Sequence, residues 1–219
     1  KTMSFLPLCH IFERMFSAYF HIVGGYIINF AESTETIAKN LTEIRPTLGY
    51  AVPRVWEKFQ SRILLRMEDA PKLNQWLFHR AMKTGMEFTR RELAGEDIGP
   101  GLKIRRFLSY WGVLYPLKYM IGMNRMRFAF SGAAPISPKV LEFFHALNIP
   151  MIEGYGMTET SAIITISTLD SYKLGTVGKP MKGIDIKLTE EGEILVRHPG
   201  VTPGYYKNVE ATAEAFKDG

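Results

Sequence analysis

Apolar positions along the chain fall into short runs that alternate with stretches of helical spacing. Residues 4–8 read as a short strand ending at Pro7, and residues 11–23 as an apolar helix. Gly24-Gly25 separates that helix from Tyr26-Ile27-Ile28-Asn29-Phe30, whose aromatic and β-branched content predicts a buried strand. Ser33 is placed to cap a helix with Ile37, Leu41 and Ile44 on one face, closed by Pro46. Residues 48–52 form another apolar run, and Pro53 stands at a favoured first helical position. The helix it opens puts Val55, Trp56, Phe59 and Ile63 on one side and Arg54, Lys58, Arg62 and Arg66 on another. Strands alternating with helices predict an α/β fold built on a covered, mostly parallel sheet.

Residues 70–122 carry further helix-like segments, interrupted at 95–101. Trp76, Phe78, Trp111, Tyr115 and Tyr119 are either core or the lining of an apolar pocket, and spacing does not choose between them. Met126, Phe128 and Phe130 alternate with Arg127 and Ala129 in a clean strand pattern. The small-residue turn Ser131-Gly132-Ala133-Ala134-Pro135 follows at once. Ser137 and Pro138 then open a helix that buries Val140, Leu141, Phe144 and Leu147. A strand at 149–152 runs directly into a second turn, so two consecutive strands end in small-residue loops. That is where open α/β sheets place their ligands. Beyond 168–174 the texture changes: Ile184, Ile186 and Leu188 alternate, a Glu190-Glu191-Gly192 turn follows, and 193–196 resumes as a strand. The expected organisation is an α/β part over 1–170 and a smaller antiparallel, barrel-like β unit over 171–219, with a helix starting near Glu210.

Composition narrows this picture only moderately. Of 219 residues, 46% are hydrophobic and 22% charged, values of an ordinary globular protein, and the net charge is +5. That mild excess suits an anionic ligand, but no arginine-rich arm, zinc spacing or helix-turn-helix pattern points to nucleic acid. A single cysteine, Cys9, excludes an intramolecular disulfide framework and suits a reducing cytoplasm. Its neighbour His10 makes a Cys/His nucleophile conceivable, though a packed thiol is the commoner arrangement. The most apolar stretch, 15–31, contains His21, Gly24-Gly25 and Asn29 and falls short of the ~20 residues a spanning helix needs. The chain opens without an initiator methionine and closes on Lys217-Asp218-Gly219, so both ends are expected to be cuts through a larger protein.

The chemistry concentrates in the second turn, Gly154-Tyr155-Gly156-Met157-Thr158-Glu159-Thr160-Ser161. Glycines allow close backbone approach to a ligand, and hydroxyls with free N–H groups suit phosphate oxygens. Tyr155 offers a flat face for a base, and Glu159 a hard oxygen for Mg2+. These residues describe a candidate ATP site, against the plainer alternative of a polar loop between two buried strands.

The turn also resembles the signature loop of the AMP-forming acyl-CoA synthetase, adenylation-domain and luciferase superfamily. Ser131-Gly132-Ala133-Ala134-Pro135 is similar to that family's adenine-side loop, and Gly175-Thr176-Val177-Gly178-Lys179-Pro180 to the entry of its β-barrel subdomain. Gly192-Glu193-Ile194-Leu195-Val196-Arg197 and Gly204-Tyr205-Tyr206-Lys207-Asn208 resemble its GE-type strand and GYY-type turn. Leu6-Pro7-Leu8-Cys9-His10-Ile11-Phe12-Glu13-Arg14 and Val52-Pro53-Arg54-Val55-Trp56-Glu57-Lys58 resemble the long-chain fatty acid–CoA ligase branch. The resemblance spans the chain and implies part of a larger N-terminal domain. It implies ATP, Mg2+ and coenzyme A acting on a fatty acid, with acyl-adenylate formed first and acyl-CoA second. By matching position, Glu159 would hold Mg2+ and Thr158 would contact phosphate. Tyr155 would pack on adenine opposite Gly132, Ala133 and Ala134, between Ser131 and Pro135. Gly154 and Gly156, with Met157 beside them, would leave room for the adenylate and acyl carbonyl. His10 would stand near the carboxylate and the mouth of the acyl pocket.

Three parts of the resemblance are not among these residues: a Ser/Thr/Gly-rich phosphate loop, a ribose-binding aspartate and a lysine-bearing C-terminal domain. The 219-residue piece alone is therefore expected to have negligible ligase activity. Two other readings stand beside a long-chain ligase: an adenylating enzyme for another carboxylate, and a non-catalytic nucleotide- or acyl-binding module. Peripheral membrane contact through Arg54, Lys58, Arg62 and Arg66 is a further expectation.

Overall fold

The structure is a computed structural model that describes residues 1–168 and 173–216. Strand β1 (Thr2–Ser4) leads into α1 (Ile11–Arg14) and α2 (Phe20–Gly24), which one π-helical turn, Met15–Tyr19, joins without a break. Then come β2 (Ile28–Phe30), α3 (Ile37–Ile44), β3 (Leu48–Ala51), α4 (Pro53–Glu68) and α5 (Lys72–Leu93). Helices α6 (Pro100–Ser109) and α7 (Tyr115–Met120) are continuous through a second π turn, Tyr110–Leu114. Strand β4 (Phe128–Ser131), α8 (Pro138–Ala146) and β5 (Met151–Tyr155) follow, then β6 (Thr165–Ile166) and β7 (Lys179–Pro180). The chain closes with β8 (Asp185–Leu188), β9 (Ile194–Arg197) and α9 (Val209–Ala215).

The main sheet has the order β3-β4-β5-β6-β7, with β3, β4 and β5 parallel and β6 and β7 antiparallel. Register places Ala51 beside Ser131 and Ser131 beside Glu153, so the C-terminal ends of β3, β4 and β5 lie next to one another. The covered α/β sheet expected from the alternation of strands and helices is therefore present. Helix α8 lies under it with Val140, Leu141, Phe144 and Leu147 all buried. Pro53 and Pro138 each occupy the first helical position, as their fixed φ and missing N–H favour. The Trp56 indole N–H reaches the carbonyls of Ala51 and Phe130, both at 3.3 Å, and so ties α4 to β3 and β4. Helix α5 packs against α8 so closely at Gly85 that a Cβ there would lie 2.8 Å from the Ala146 carbonyl oxygen.

Several expectations are corrected. The run 26–30 forms only a three-residue strand, and Ile27 and Phe30 are each 65% exposed rather than buried. Strand β2 pairs with β1 alone among the described residues, so its outer side has nothing to pack on. The strand expected over 4–8 ends at Ser4. Thr36, not Ser33, stands before α3. The expected aromatic group divides, with Phe78 buried and Trp76, Trp111 and Tyr119 largely exposed. The antiparallel unit is a two-stranded hairpin, β8 with β9, and among the described residues no barrel closes. Two four-residue strands exposed over most of their positions cannot enclose a core. The expected domain boundary, 170/171, lies outside the described residues, as do Lys217, Asp218 and Gly219 at the chain's end.

Helix α7 carries an unusual interior cation. Lys118 is buried and donates to the Asn148 carbonyl at 2.8 Å. Burial, then the nearby Arg106 charge, lowers its ammonium pKa from 10.5 to about 8. A lysine whose folded pKa lies below its unfolded one penalises folding while charged. The penalty is full below about pH 8 and fades as pH rises toward 10.5. Wild type is expected to gain stability relative to Lys118→Met in urea unfolding as pH rises from 8 to 10. A difference between them that stays constant with pH would contradict this.

Candidate functional site

The ends of β4 and β5 deliver their two turns to one side of the sheet, and α1 closes that side. A cavity of about 270 Å3 lies between them, lined by His10, Ile11, Phe12, Phe130, Gly132, Ala133 and residues 154–159, with Ala162 and Ile163 behind. Of the sequence-predicted residues, His10, Gly132, Ala133, Gly154, Tyr155, Gly156, Met157, Thr158 and Glu159 thus meet around one space. Ser131, Ala134 and Pro135 do not line it. Ser131 is buried beneath, its hydroxyl without a hydrogen-bond partner, and Ala134 and Pro135 face solvent. A larger cleft of about 820 Å3 runs along α4, α5 and α8, past Gln60, Met82, Arg90 and Phe143, away from both turns. Chemistry-bearing residues converge on the smaller one.

Helix α1 is held there by an aromatic cluster over a buried carboxylate. Phe12 stacks on Phe130 with ring centres 5.7 Å apart, and Phe16 stacks on Tyr50 at 4.5 Å. Glu13, fully buried, accepts from the Tyr50 hydroxyl at 2.5 Å and from the Leu6 N–H at 3.0 Å. Burial and that hydrogen bond push the Tyr50 phenol far above its ordinary pKa, so it stays a donor. The result fixes His10 at the head of α1. Its Nδ1 accepts the Phe12 N–H at 3.1 Å, which leaves the proton of the neutral ring on Nε2. Toward a ligand, His10 is a hydrogen-bond donor.

The glycines serve the protein's own packing. A Cβ at Gly154 would lie 2.6 Å from the tip of the Phe130 ring, and one at Gly132 would lie 3.0 Å from its edge. At Gly156 it would coincide with the Ala162 carbonyl oxygen, 1.4 Å away. The chain doubles back here because Met157 to Thr160 turn tightly and Ser161 and Ala162 both take positive φ, 54° and 86°. Their side chains are small enough to tolerate it. The turn also consumes two of its three aliphatic hydroxyls. Thr160 Oγ1 accepts the Met157 N–H at 3.2 Å, and Ser161 Oγ donates to the Gly200 carbonyl at 2.6 Å. Of these three, Thr158, exposed on the cavity wall, keeps its hydroxyl for a ligand.

Glu159 is braced by contacts that sequence reasoning missed. Its main-chain carbonyl accepts the Thr202 N–H at 2.8 Å, and its Oε1 accepts the Tyr205 hydroxyl at 2.8 Å. The carboxylate beside it holds the Tyr205 phenol above its usual pKa. The GYY-type turn marked Tyr205 in the sequence, but 46 residues separate it from Glu159. Among the described residues no cluster of three or more His, Cys, Asp or Glu side chains could cage a metal. One carboxylate beside one free hydroxyl fits a different mode, in which Mg2+ arrives with phosphate oxygens and takes one or two carboxylates from the protein.

Residues 1–206 match the family profile described as AMP-binding enzyme. The chain belongs to that family. Among its curated relatives, fadD11 of Mycobacterium tuberculosis, named provisionally as a fatty-acid–CoA ligase, is 37% identical over 99% of this chain and 38% of its own length. The long-chain-fatty-acid–CoA ligase FadD15 of Mycobacterium bovis is 34% identical over the whole chain and 36% of its own. This AMP-binding chain therefore spans little more than a third of the length of those relatives. Its fold is that of the N-terminal domain of FACL13 from Mycobacterium tuberculosis, with TM-score 0.61 and 17% identity over 100% of this chain and 45% of that one. The o-succinylbenzoate CoA synthetase MenE of Bacillus subtilis, solved with an acyl-adenylate, is similar over 100% of this chain and 36% of its own, with TM-score 0.60 and 17% identity.

Gly156→Ala tests the packing of this turn. The intruding methyl must displace main chain, so a loss of at least about 2 kcal/mol is expected in urea unfolding. Gly101→Ala, open to solvent in helix α6, is the control and should stay at least as stable as wild type.

Proposed function

We propose that the chain is part of an ATP-dependent long-chain fatty acid–CoA ligase. In its first reaction the fatty acid carboxylate attacks the α-phosphorus of ATP, giving acyl-adenylate and pyrophosphate. In its second the thiol of coenzyme A displaces AMP and gives acyl-CoA. The observation that carries this reading is the meeting of His10, Gly132-Ala133 and residues 154–159 around one cavity in an AMP-binding chain. Relatives named as fatty-acid–CoA ligases, 32–37% identical along the whole chain, support the choice of acid.

The residues divide the work by what each has left to offer. Tyr155 presents a half-buried ring to adenine across the slot from Gly132 and Ala133, with Ser131, Ala134 and Pro135 shaping that turn. Thr158 donates its hydroxyl to phosphate, and Met157 borders the mouth. His10 donates from Nε2 to a substrate oxygen, which eases the approach of a carboxylate to an anionic triphosphate. Glu159 is the residue to hold Mg2+, and Tyr205 orients its carboxylate. Bound Mg2+ supplies charge neutralisation at the phosphates. MenE, of the same fold with TM-score 0.59, has been solved with ATP and a magnesium ion. A cytoplasmic setting agrees with one exposed thiol, Cys9.

ATP–pyrophosphate exchange by the full-length protein tests the assignment. Palmitate is expected to support it better than octanoate or benzoate. Glu159→Gln should lower the rate on the order of 10²-fold. Tyr205→Phe should raise the Mg2+ concentration needed for half-maximal rate by about 10-fold. The 219 residues by themselves should be inactive. Wild-type exchange by Glu159→Gln would remove the site assignment, and preference for benzoate would move the protein to another branch of adenylating enzymes.

A further inference from the structure

Helix α6 carries apolar side chains on its outward side as well as its inward one. Its inward side buries Leu102 and Arg106, and the following turn and α7 bury Leu114, Leu117 and Lys118. Arg106 lies among aromatic rings, 5.8 Å from the Phe88 centroid and 5.6 Å from that of Tyr110, and its Nη1 has no hydrogen-bond partner. The outward side of α6 and of the π turn after it carries Ile104, Phe107, Leu108 and Trp111, which are 60%, 62%, 62% and 52% exposed. These four stand at i, i+3, i+4 and i+7, one helical stripe, and the Phe107 and Trp111 rings are neighbours at 6.5 Å. An amphipathic helix in water turns such a stripe toward the core and its cations outward. Here one of the three α6 cations, Arg106, sits inside with Leu102, and four large apolar side chains sit outside, an arrangement suited to an apolar medium beyond the protein.

We propose that the outward face of α6 is a docking surface for an anionic lipid bilayer, on which the helix lies in the interfacial plane. Charge selects this occupant. Lys103 and Arg105 flank the stripe on its two sides and are exposed. Residues 100–127 hold no aspartate or glutamate to offset them. The sole acidic contact to the flanks among the described residues is Glu87, 3.5 Å from Arg105 in an exposed and therefore weak pair. An apolar stripe edged by Lys and Arg, with a tryptophan in it, is the pattern of helices that lie on anionic membranes. Another exposed apolar patch, Ile22, Val23, Ile27 and Phe30, has no lysine or arginine among residues 15–38, so it suits burial under more protein. Among the described residues no helix is long and apolar enough to cross a membrane, so the helix rests on the surface. The contact is moved from the place the sequence suggested. Arg54, Lys58, Arg62 and Arg66 are exposed, but α4 turns Trp56 and Ile63 inward and offers no comparable stripe beside them.

Flotation of the protein with vesicles tests this without ATP or substrate, so its failure would leave the ligase reading intact. Vesicles of phosphatidylcholine with about one third phosphatidylglycerol should carry wild type upward, and pure phosphatidylcholine several-fold less. Phe107→Glu with Trp111→Glu should lower binding at least ten-fold, with circular dichroism unchanged because both side chains face solvent. Lys103→Gln with Arg105→Gln should remove the advantage of the anionic vesicles and leave the weaker neutral binding. Trp111 fluorescence, isolated by comparison with Trp111→Phe, should shift to the blue on binding. Undiminished flotation of the double glutamate variant would overturn the proposal. So would loss of flotation in Ile22→Glu with Val23→Glu alone. A concentration-dependent dimer that the double glutamate variant abolishes, with no vesicle binding by wild type, would assign the face to a second copy of the chain and equally overturn it.

Discussion

The site depends on where the Phe130 ring lies. Phe130 sits near the end of the central parallel strand, and its ring fills the space that side chains at Gly132 and Gly154 would need. The same ring is the floor on which Phe12 stacks, so it sets the height of α1 above the sheet. Its carbonyl accepts from Trp56, which fixes α4 on the opposite side of the strand. One aromatic residue therefore brings two turns and a helix to a common cavity. Glycines 132 and 154 follow from it, and leave the turns thin enough for a ligand to come close.

Around that floor the remaining groups are placed by hydrogen bonds whose partners lie far away in sequence. Buried Glu13 holds Tyr50 and the Leu6 main chain together, and so sets the entry to α1 and the orientation of His10. On the other side Thr202, Gly200 and Tyr205 hold the turn from outside, through main chain and carboxylate of Glu159 and the Ser161 hydroxyl. The hairpin β8–β9 leads directly into this brace. Its connection to the turn at 154–161 makes the small antiparallel unit relevant to the site, though the hairpin is largely exposed.

Local pattern in the sequence carried what local forces decide. Alternation at 126–130, the small-residue turn and Ser137-Pro138 identified β4, the loop and α8, because each signal acts within a few residues. The run 26–30 misled because composition reports suitability for a sheet and not whether a partner covers its outer face. Periodicity at Ile104, Phe107, Leu108 and Trp111 signals an apolar stripe but carries no direction, and the structure turns it outward. Gly156 was legible as a special position, but its demand for room beside the Ala162 carbonyl of its own turn has no local signal. The brace from Tyr205 was beyond reach, since a contact across 46 residues has no periodic signature.

The central claim is that Gly132-Ala133 and Tyr155 are the two walls of an adenylate slot floored by Phe130. A crystal structure of the protein with a non-hydrolysable acyl-sulfamoyl adenosine tests it most directly. The account predicts adenine between Tyr155 and the Gly132-Ala133 backbone, with the acyl sulfamate between His10 and Thr158. Adenine bound elsewhere, as in the cleft along α4, α5 and α8, would contradict it.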